Sequence, residues 1–311
     1  MRTSLAVFCL AAGACLSAQV RFTKDAIDVN VDGKPFSTFH YGTLDANKPY
    51  LSPLRSASGK VVTRLFPMET VEGESRDHMH HRGLWITYKG VNDINFWEND
   101  PSYTERGKYG KVVVRRAEFK QGDKAGTLTA VMDWTDPNGK VLLVEDRTMT
   151  FYSDPKLRTI DILCTLTAGP EVTFLDAHDG LLGIRLAEPF TERKGGVMVN
   201  AEGLSTMLKA WGKRSNWIDY TGVVDGEKLG VAIFDNPKNL NYPTYWHARD
   251  YGLVSANPLA RNAFDSNLEE VHFKLAAGQK WVFRWRVVIH PGDAATAHVA
   301  DMYKEYLAAK P

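Results

Sequence analysis

The densest group of chemistry-bearing side chains is segment 77–83, which reads DHMHHRG and places three of the nine histidines within four residues. Imidazole titrates near neutral pH, so such a cluster suits proton transfer to or from a substrate. We predict that His80, His81 and Arg82 are catalytic, with the arginine holding negative charge that develops on oxygen. The alternative is a turn in which backbone groups satisfy the histidines.

A metal site is a second use of the same histidines. In an extended segment His78 and His80 lie on one face and His81 on the other, so His78 and His80 would supply two ligands for one divalent transition metal. Two imidazoles do not complete a coordination shell. The candidates for the remaining ligands are Asp77, Glu98, His178 and His247.

A second polar segment covers residues 176–185 and reads DAHDGLLGIR. Its turn supplies His178, which we predict as a further catalytic residue. Its apolar strand carries one arginine, which needs an anion or a carboxylate as partner. We predict that Arg185 binds substrate, and a salt bridge to a neighbouring strand is the alternative.

Aromatic and polar side chains are interleaved in segment 242–252, which reads YPTYWHARDYG. Aromatic rings stack on the apolar faces of sugars while polar groups bind hydroxyls, so the pattern is typical of a carbohydrate site. A packed aromatic corner is the alternative. The predicted substrate-binding residues here are Trp246, His247, Arg249, Asp250, Tyr251 and, shortly after, Asn257.

Several catalytic signatures are missing from the sequence, among them the GxSxG elbow, the P-loop and the HExxH helix. This argues against serine hydrolases, nucleotide enzymes and zincins. Glycosidase chemistry with paired carboxylates stays open, since its two acids can be far apart in sequence. The candidate carboxylates are Glu98, Asp179, Asp250, Glu269 and Glu270.

Short strands separated by turns must position these residues. Apolar and polar side chains alternate most clearly in residues 280–290, and an Asp-Pro-Asn-Gly turn at 136–139 joins two strands into a hairpin. Helical spacing occurs only at the C-terminus, at Val299, Met302, Tyr303, Tyr306 and Leu307. The pattern predicts an all-β fold, a large antiparallel β-sandwich with a C-terminal helix. Two small sandwiches with a break near residues 167–171 are the alternative.

Residues 1–18 have the charged, apolar and small-residue order of a secretory signal. They predict export to the periplasm or the medium, with a single domain at residues 19–311 and no spanning segment after the signal. A lipoprotein anchored through Cys15 is the variant. Outside the signal the only cysteine is Cys164, whose apolar neighbours predict a buried, unreactive side chain.

The charge balance bears on the partner of the protein. The 38 Lys and Arg residues are offset by 37 Asp and Glu residues, so no basic excess favours a nucleic acid. A small-molecule carbohydrate is the expected partner, and the oligomeric state stays open.

Six segments, taken in order, resemble one known family. They are HMHHRGLW at 78–85, FW at 96–97, GLLGIR at 180–185, NAEG at 200–203, WIDYTG at 217–222 and WHARDYGL at 246–253. The family is a group of bacterial, often exported proteins of largely uncharacterised function that carry the name methane oxygenase, and Met79 stands where it usually has proline. That name fits a membrane complex rather than this chain. The order of strands is similar to the galactose-mutarotase-like supersandwich, which implies a fold of carbohydrate-active proteins.

Three functional hypotheses follow. The first is a secreted carbohydrate-active enzyme that performs acid–base chemistry, namely epimerisation, elimination or hydrolysis, on a sugar or an oxidised glycoside. The second is a metal-dependent oxygenase or lyase built on His78 and His80. The third is a carbohydrate-binding protein without catalysis, which uses the aromatic residues alone.

Overall fold

The computed structural model describes residues 22–23, 25–42, 46–105 and 107–309. The predicted signal at residues 1–18, with Cys15, lies outside this part of the chain. The helices within it are α1 (Met207–Ala210) and α2 (Val299–Ala308), with 3-10 turns at Glu188–Phe190 and Glu192–Lys194. The strands are β1 (Phe22–Thr23), β2 (Ala26–Val31), β3 (Lys34–His40), β4 (Tyr50–Leu51), β5 (Leu84–Val91), β6 (Ile94–Asn95), β7 (Lys111–Gln121), β8 (Ala125–Thr135), β9 (Val141–Tyr152), β10 (Arg158–Ala168), β11 (Val172–Phe174), β12 (Gly180–Arg185), β13 (Val197–Asn200), β14 (Trp217–Val224), β15 (Glu227–Asp235), β16 (Tyr245–Ala248), β17 (Leu253–Asn257), β18 (Phe273–Leu275) and β19 (Lys280–Pro291).

The strands form two antiparallel sheets. The first has the order β1-β2-β3-β4-β5-β12-β17-β16, with β6 and β11 paired to β5 and β18 paired to β11. The second has the order β13-β14-β15-β19-β10-β9-β8-β7. The predicted antiparallel sandwich with a C-terminal helix is therefore confirmed.

The apolar faces of the two sheets pack against each other. Side chains alternate between the two faces of a strand. In β5, Leu84 and Ile86 point inward, and in β19 Phe283 and Val287 do so, all within one buried cluster that spans both sheets. Cys164 is fully buried in the same cluster, and burial raises the pKa of its thiol well above the usual value. The thiol is protonated and shielded, as the sequence indicates.

Helix α2 covers the outer face of the second sheet. Val299, Tyr303 and Tyr306 are buried there, and the two tyrosine rings contact Phe234 of β15. This is the face that the helical spacing predicts, although Leu307 at the end of the spacing is exposed. Among the residues that the structure describes, neither helix has the length and apolar character needed to cross a membrane.

The outer face of the first sheet carries the predicted functional residues. Trp85 of β5 is paired with Gly183 of β12, Gly183 with Ser255 of β17, and Ser255 with His247 of β16. Residues paired directly across antiparallel strands point to the same side. Trp85 belongs to a small cluster apart from the main core, so this row lies on the side of the sheet that faces away from the sandwich.

Candidate active site

Two buried tryptophans form the floor of the site. The rings of Trp85, in β5, and Trp97, in the turn after β6, lie with centroids 4.9 Å apart. They fit over β12 because Gly183 has no side chain, since a Cβ at that position would lie 2.7 Å from Trp97 and 2.8 Å from Trp85. The indole N–H groups of both tryptophans are buried and have no hydrogen-bond partner within the described residues.

The three clustered histidines lie together above this floor. The ring centroids of His80 and His81 are 4.4 Å apart, those of His78 and His81 are 4.8 Å apart, and His81 stacks on Trp85 at 5.3 Å. The segment is not an extended strand, because His78 has a φ of 44°. The expected alternation of faces is therefore wrong, and the bend brings all three rings to one side.

A pair of buried arginines supports the histidine segment. Arg64 and Arg185 both donate to Asp77 Oδ1, at 2.6 and 2.9 Å, and Arg64 also donates to the carbonyl oxygens of His78 and His81. Burial raises the pKa of Asp77, but Arg185, His78 and Arg64 outweigh it and lower that pKa to about 2. Two guanidinium groups thus share one carboxylate, and the negative charges of Glu74 and Glu188 also act on Arg64.

His81 is held in one protonation form by Arg185. Arg185 Nη1 lies 3.2 Å from His81 Nδ1. A guanidinium offers only donors, so Nδ1 is the acceptor and the neutral ring carries its proton on Nε2. Burial, followed by the charges of His80 and Arg185, holds the pKa of His81 well below its usual value. His81 is therefore a neutral N–H donor at neutral pH.

The same contacts correct the role predicted for Arg185. Its Nη atoms bond to His81, Ser75 and Asp77, its Nε is buried, and the ring of Tyr251 covers its guanidinium at 4.5 Å. Arg185 therefore positions His81 instead of contacting a ligand. Of the two roles that the sequence allows, the intramolecular salt bridge is the observed one.

His80 and Arg82 are buried beside this centre. His80 Nδ1 lies 2.9 Å from the hydroxyl of Tyr103, and Arg82 donates to Asp100 at 2.9 Å. Burial, followed by the positive charge of Lys48, lowers the pKa of His80 to about 2. The ring of His80 is therefore neutral, and it is the candidate proton acceptor of the pair.

A second group of ligand-type side chains lies on the same face. His178 and Asp179 precede β12, and His247 lies in β16. Asp179 Oδ1 is 3.5 Å from His178 Nε2 and 3.5 Å from His247 Nδ1, and the two imidazole rings are perpendicular at 4.8 Å. Burial, followed by His178 and Arg249, holds the pKa of His247 well below its usual value. Within the described part of the chain, this trio is the one group of three such residues whose ligand atoms converge enough to hold a metal ion.

The predicted metal pair, His78 and His80, is not such a group. The Nδ1 atom of His78 lies 3.0 Å from Asp77 and that of His80 lies 2.9 Å from the Tyr103 hydroxyl. Within the described residues, neither histidine belongs to a group of three ligand-type side chains whose ligand atoms converge. The positive charge of the nearby arginines also disfavours a cation there. The structure thus moves the best candidate for a metal site to His178 and His247, which the sequence offers only as additional ligands, and to Asp179, which it offers only as a candidate carboxylate of a glycosidase.

Two further side chains lie beside the two groups. Tyr251 stacks on His78 at 5.2 Å and lies under the guanidinium of Arg249 at 5.4 Å. Lys89 bonds to Glu98 at 3.1 Å and to Asp179 at 3.3 Å. The side chains of His78, Lys89 and His178 are 40%, 37% and 45% exposed, so the rim of the site is open to a ligand.

Two predicted substrate-binding residues lie outside the site. Trp246 is fully buried in the core because it alternates with His247 along β16, so it cannot stack on a ligand. Asn257 is buried and its amide bonds to the carbonyl of Ala177 and the N–H of Leu259. Asp250 lies exposed in the turn after β16.

Some residues of the site were missed by sequence reasoning. Arg64 follows Val61, Val62 and Thr63 in the sequence. A single arginine in a mostly apolar segment is the signal that identifies Arg185, and the same criterion identifies Arg64. Trp85 and Trp97 stand in the motifs that carry the family resemblance, but the motifs assign them no role. Lys48, which donates to the carbonyl of Trp97, has no local signal.

The comparisons with known proteins identify a family and similar structures. A family model described as "Family of unknown function (DUF6807)" matches residues 26–304, and no curated protein matches the sequence. Among solved structures, the chain is similar to a galactose mutarotase-like protein from Clostridium acetobutylicum, with 11% identity and a TM-score of 0.41 over 86% of this chain and 95% of that chain.

It is also similar to larger carbohydrate enzymes. A GH36 alpha-galactosidase from Geobacillus stearothermophilus shares 11% identity, with a TM-score of 0.46 over 88% of this chain and 41% of that chain. The galactosidase domain of an alpha-galactosidase-sucrose kinase shares 10% identity, with a TM-score of 0.42 over 88% and 42%. The chain thus spans about two fifths of the length of these two. At such identities and TM-scores the likeness says nothing about activity.

Proposed function

Because the chain belongs to DUF6807, a family of unknown function, we propose its function from the geometry of the site. The protein is a carbohydrate-active enzyme that performs acid–base chemistry on an oxidised glycoside, which is a sugar that carries a carbonyl or carboxylate group. The observation that carries this proposal is the pair of neutral, buried imidazoles, His80 and His81, whose ring centroids are 4.4 Å apart and of which His81 is fixed as an Nε2–H donor.

The pair suits the removal of a proton from carbon. When His80 donates its Nδ1–H to the Tyr103 hydroxyl, its Nε2 lone pair is free to take a proton from the carbon next to the carbonyl. The electron pair of the broken C–H bond forms the enolate, whose negative charge lies mainly on the carbonyl oxygen. His81 stabilises this oxygen by donating a hydrogen bond from Nε2–H. Delivery of a proton from water to the opposite face of the enolate gives epimerisation, and His80 then returns its proton to solvent. In elimination the enolate re-forms the carbonyl, and the group on the next carbon leaves with its bonding electrons and takes up the proton held by His80.

Negative charge on the substrate is needed for this step. A base with a pKa of about 2 is weak at neutral pH. A carboxylate or a developing enolate beside the ring favours the imidazolium and so raises the pKa of His80. The partly exposed guanidinium of Arg249, which lies over Tyr251, attracts the same groups. An oxidised glycoside therefore fits the site better than a neutral sugar.

Solvent exchange tests this first step without knowledge of the final product. The probes are methyl glucuronide, methyl galacturonide and methyl glycosides oxidised to ketones, incubated in deuterated water and followed by NMR. We expect deuterium to enter at the carbon next to the carbonyl or carboxylate in at least one probe. His80→Ala lowers the exchange rate about 100-fold or more, with a melting temperature near that of the wild type.

A matched control and a second variant support the interpretation. His272→Ala removes an exposed histidine that is paired with Glu270 away from the site, and it leaves exchange unchanged. Tyr103→Phe keeps the fold and the ring of Tyr103 but removes the hydroxyl beside His80, and it slows exchange. Binding of the probes with no exchange in the wild-type protein contradicts the proposal and favours a carbohydrate-binding protein without catalysis.

A further inference from the structure

The second group of the site suggests a metal centre. We propose that His178, Asp179 and His247 bind one divalent transition metal ion. Two imidazoles and one carboxylate form a ligand set that suits zinc, iron, manganese or cobalt. This proposal does not depend on the acid–base role of His80 and His81.

The spacing of the three side chains fits an ion between them better than direct hydrogen bonds. Asp179 Oδ1 lies 3.5 Å from both His178 Nε2 and His247 Nδ1. A charge-assisted hydrogen bond between such atoms is about 2.7–2.9 Å long. Two ligand atoms that bind an ion at about 2.0–2.1 Å in tetrahedral geometry lie about 3.4 Å apart. The two distances from Asp179 therefore match the separation of ligands, and the three ligand atoms all lie within 4.8 Å of one another.

His247 supplies an independent indication of a missing partner. Its side chain is 4% exposed, and its Nδ1 atom is buried with no hydrogen-bond partner within the described residues. A buried polar atom without a partner destabilises a fold by about 1–3 kcal/mol. A metal ion on Nδ1 removes that penalty, because this atom faces Asp179 Oδ1.

The surroundings suit a reactive metal site. Lys89 donates to Asp179 Oδ2 at 3.3 Å, which orients the carboxylate and leaves Oδ1 for the ion. His178 is 45% exposed, so the side of the ion toward the solvent is open to water or to a substrate oxygen. The trio lies on the same sheet face as Trp85, so such a ligand also reaches the site described above.

Metal content measured without any substrate tests the proposal. Protein purified without a polyhistidine tag and without chelators is incubated with zinc, manganese, cobalt or ferrous iron, desalted and assayed by plasma mass spectrometry. We expect about one equivalent of metal per chain. His178→Ala, Asp179→Asn and His247→Ala each lower this to about one tenth or less under the same conditions.

Two controls separate this site from others. His272→Ala, which removes an exposed histidine beside a carboxylate, retains the metal, and so does His80→Ala. Because the side chain of His178 is nearly half exposed, His178→Ala keeps the fold, and its melting temperature in excess chelator checks this. No bound metal in the wild type after all four incubations overturns the proposal, as does metal that is lost in His80→Ala but kept in His247→Ala. Neither result bears on deuterium exchange at His80.

Discussion

His81 owes its chemistry to a single neighbour. Its ring is buried and neutral, and Arg185 occupies Nδ1 with an N–H group, so the ring proton stays on Nε2. A neutral imidazole in this form is an N–H donor and cannot take a proton at Nδ1 without breaking the arginine contact. The roles that we propose, His80 as base and His81 as donor, follow from this one hydrogen bond.

We expect that replacement of Arg185 changes which ring nitrogen of His81 carries the proton, even in protein that keeps its fold. In Arg185→Met the ring proton redistributes between Nδ1 and Nε2, which nitrogen-15 NMR of histidine side chains detects. The pKa of His81 rises because one of the positive charges that lower it is gone. We expect a fall of about 10- to 100-fold in turnover, with partial recovery in Arg185→Lys.

Arg64→Met is the matched control for this substitution. Arg64 bonds to the same Asp77 oxygen and to the carbonyl of His81, but not to its ring. The control therefore leaves the ring proton on Nε2 even if it lowers stability. An unchanged His81 spectrum in Arg185→Met contradicts the positioning role.

At the scale of strands, a buried ion pair links β14, β15 and β19. His290 of β19 bonds through Nε2 to Asp219 of β14 at 2.8 Å, and both side chains are fully buried. The imidazole ring of His290 lies over Gly230 of β15 on its way to Asp219. A side chain at position 230 would not fit, because its Cβ would lie 2.1 Å from the imidazole ring. Burial lowers the pKa of His290, but the hydrogen bond to Asp219 and its negative charge outweigh burial, so the pKa is raised overall.

The sign of this shift predicts a pH dependence of stability. The folded state holds the His290 proton more tightly than the unfolded state, whose pKa is about 6.5. The resulting stabilisation is complete below about pH 6.5 and is lost as the pH rises through the folded pKa. Urea unfolding between about pH 7.5 and pH 9 should show a decline of up to about 1.4 kcal/mol per pH unit.

His290→Gln is expected to remove this decline whatever its effect on overall stability. The slope with pH is therefore the readout. Histidines whose pKa is lowered, such as His80, take up protons on unfolding near and below about pH 6.5 and give a slope of the opposite sign there, but they contribute little above about pH 7.5. Equal slopes in the variant and the wild type assign the pH dependence to other groups.

Local sequence patterns predict where the strands lie, but they predict less well which side of a strand faces the core. Alternation over residues 280–290 predicts β19, and the Asp-Pro-Asn-Gly turn is observed with Gly139 at a φ of 85°. The same alternation makes either Trp246 or His247 a core residue, and nothing local decides which. A tryptophan suits both a core and a sugar platform, so the choice of Trp246 as a ligand contact was wrong.

The whole site depends on pairings that local sequence does not specify. Strands β5, β12 and β17 lie side by side although they are far apart along the chain, and this order brings the histidine segment before β5 next to Tyr251 before β17. The sequence identifies three polar segments, and the structure shows that they share one face. The relation of Arg64 to Asp77 and Arg185 is equally nonlocal, which explains why it was missed.

The charge of the molecule gives a final prediction. The chain is nearly neutral, so attraction for an anionic sugar comes from the site alone, where Arg249 is partly exposed over Tyr251. In calorimetry, methyl glucuronide should bind at least about 10-fold more tightly than methyl glucoside at low ionic strength. This preference should shrink severalfold between about 20 mM and about 500 mM salt, because screening weakens an exposed contact.

Arg249→Met lowers the preference for the anionic sugar and leaves the affinity for methyl glucoside nearly unchanged. Equal affinities for the two sugars, or a preference that salt does not alter, contradict an anionic substrate and return the choice to neutral glycosides.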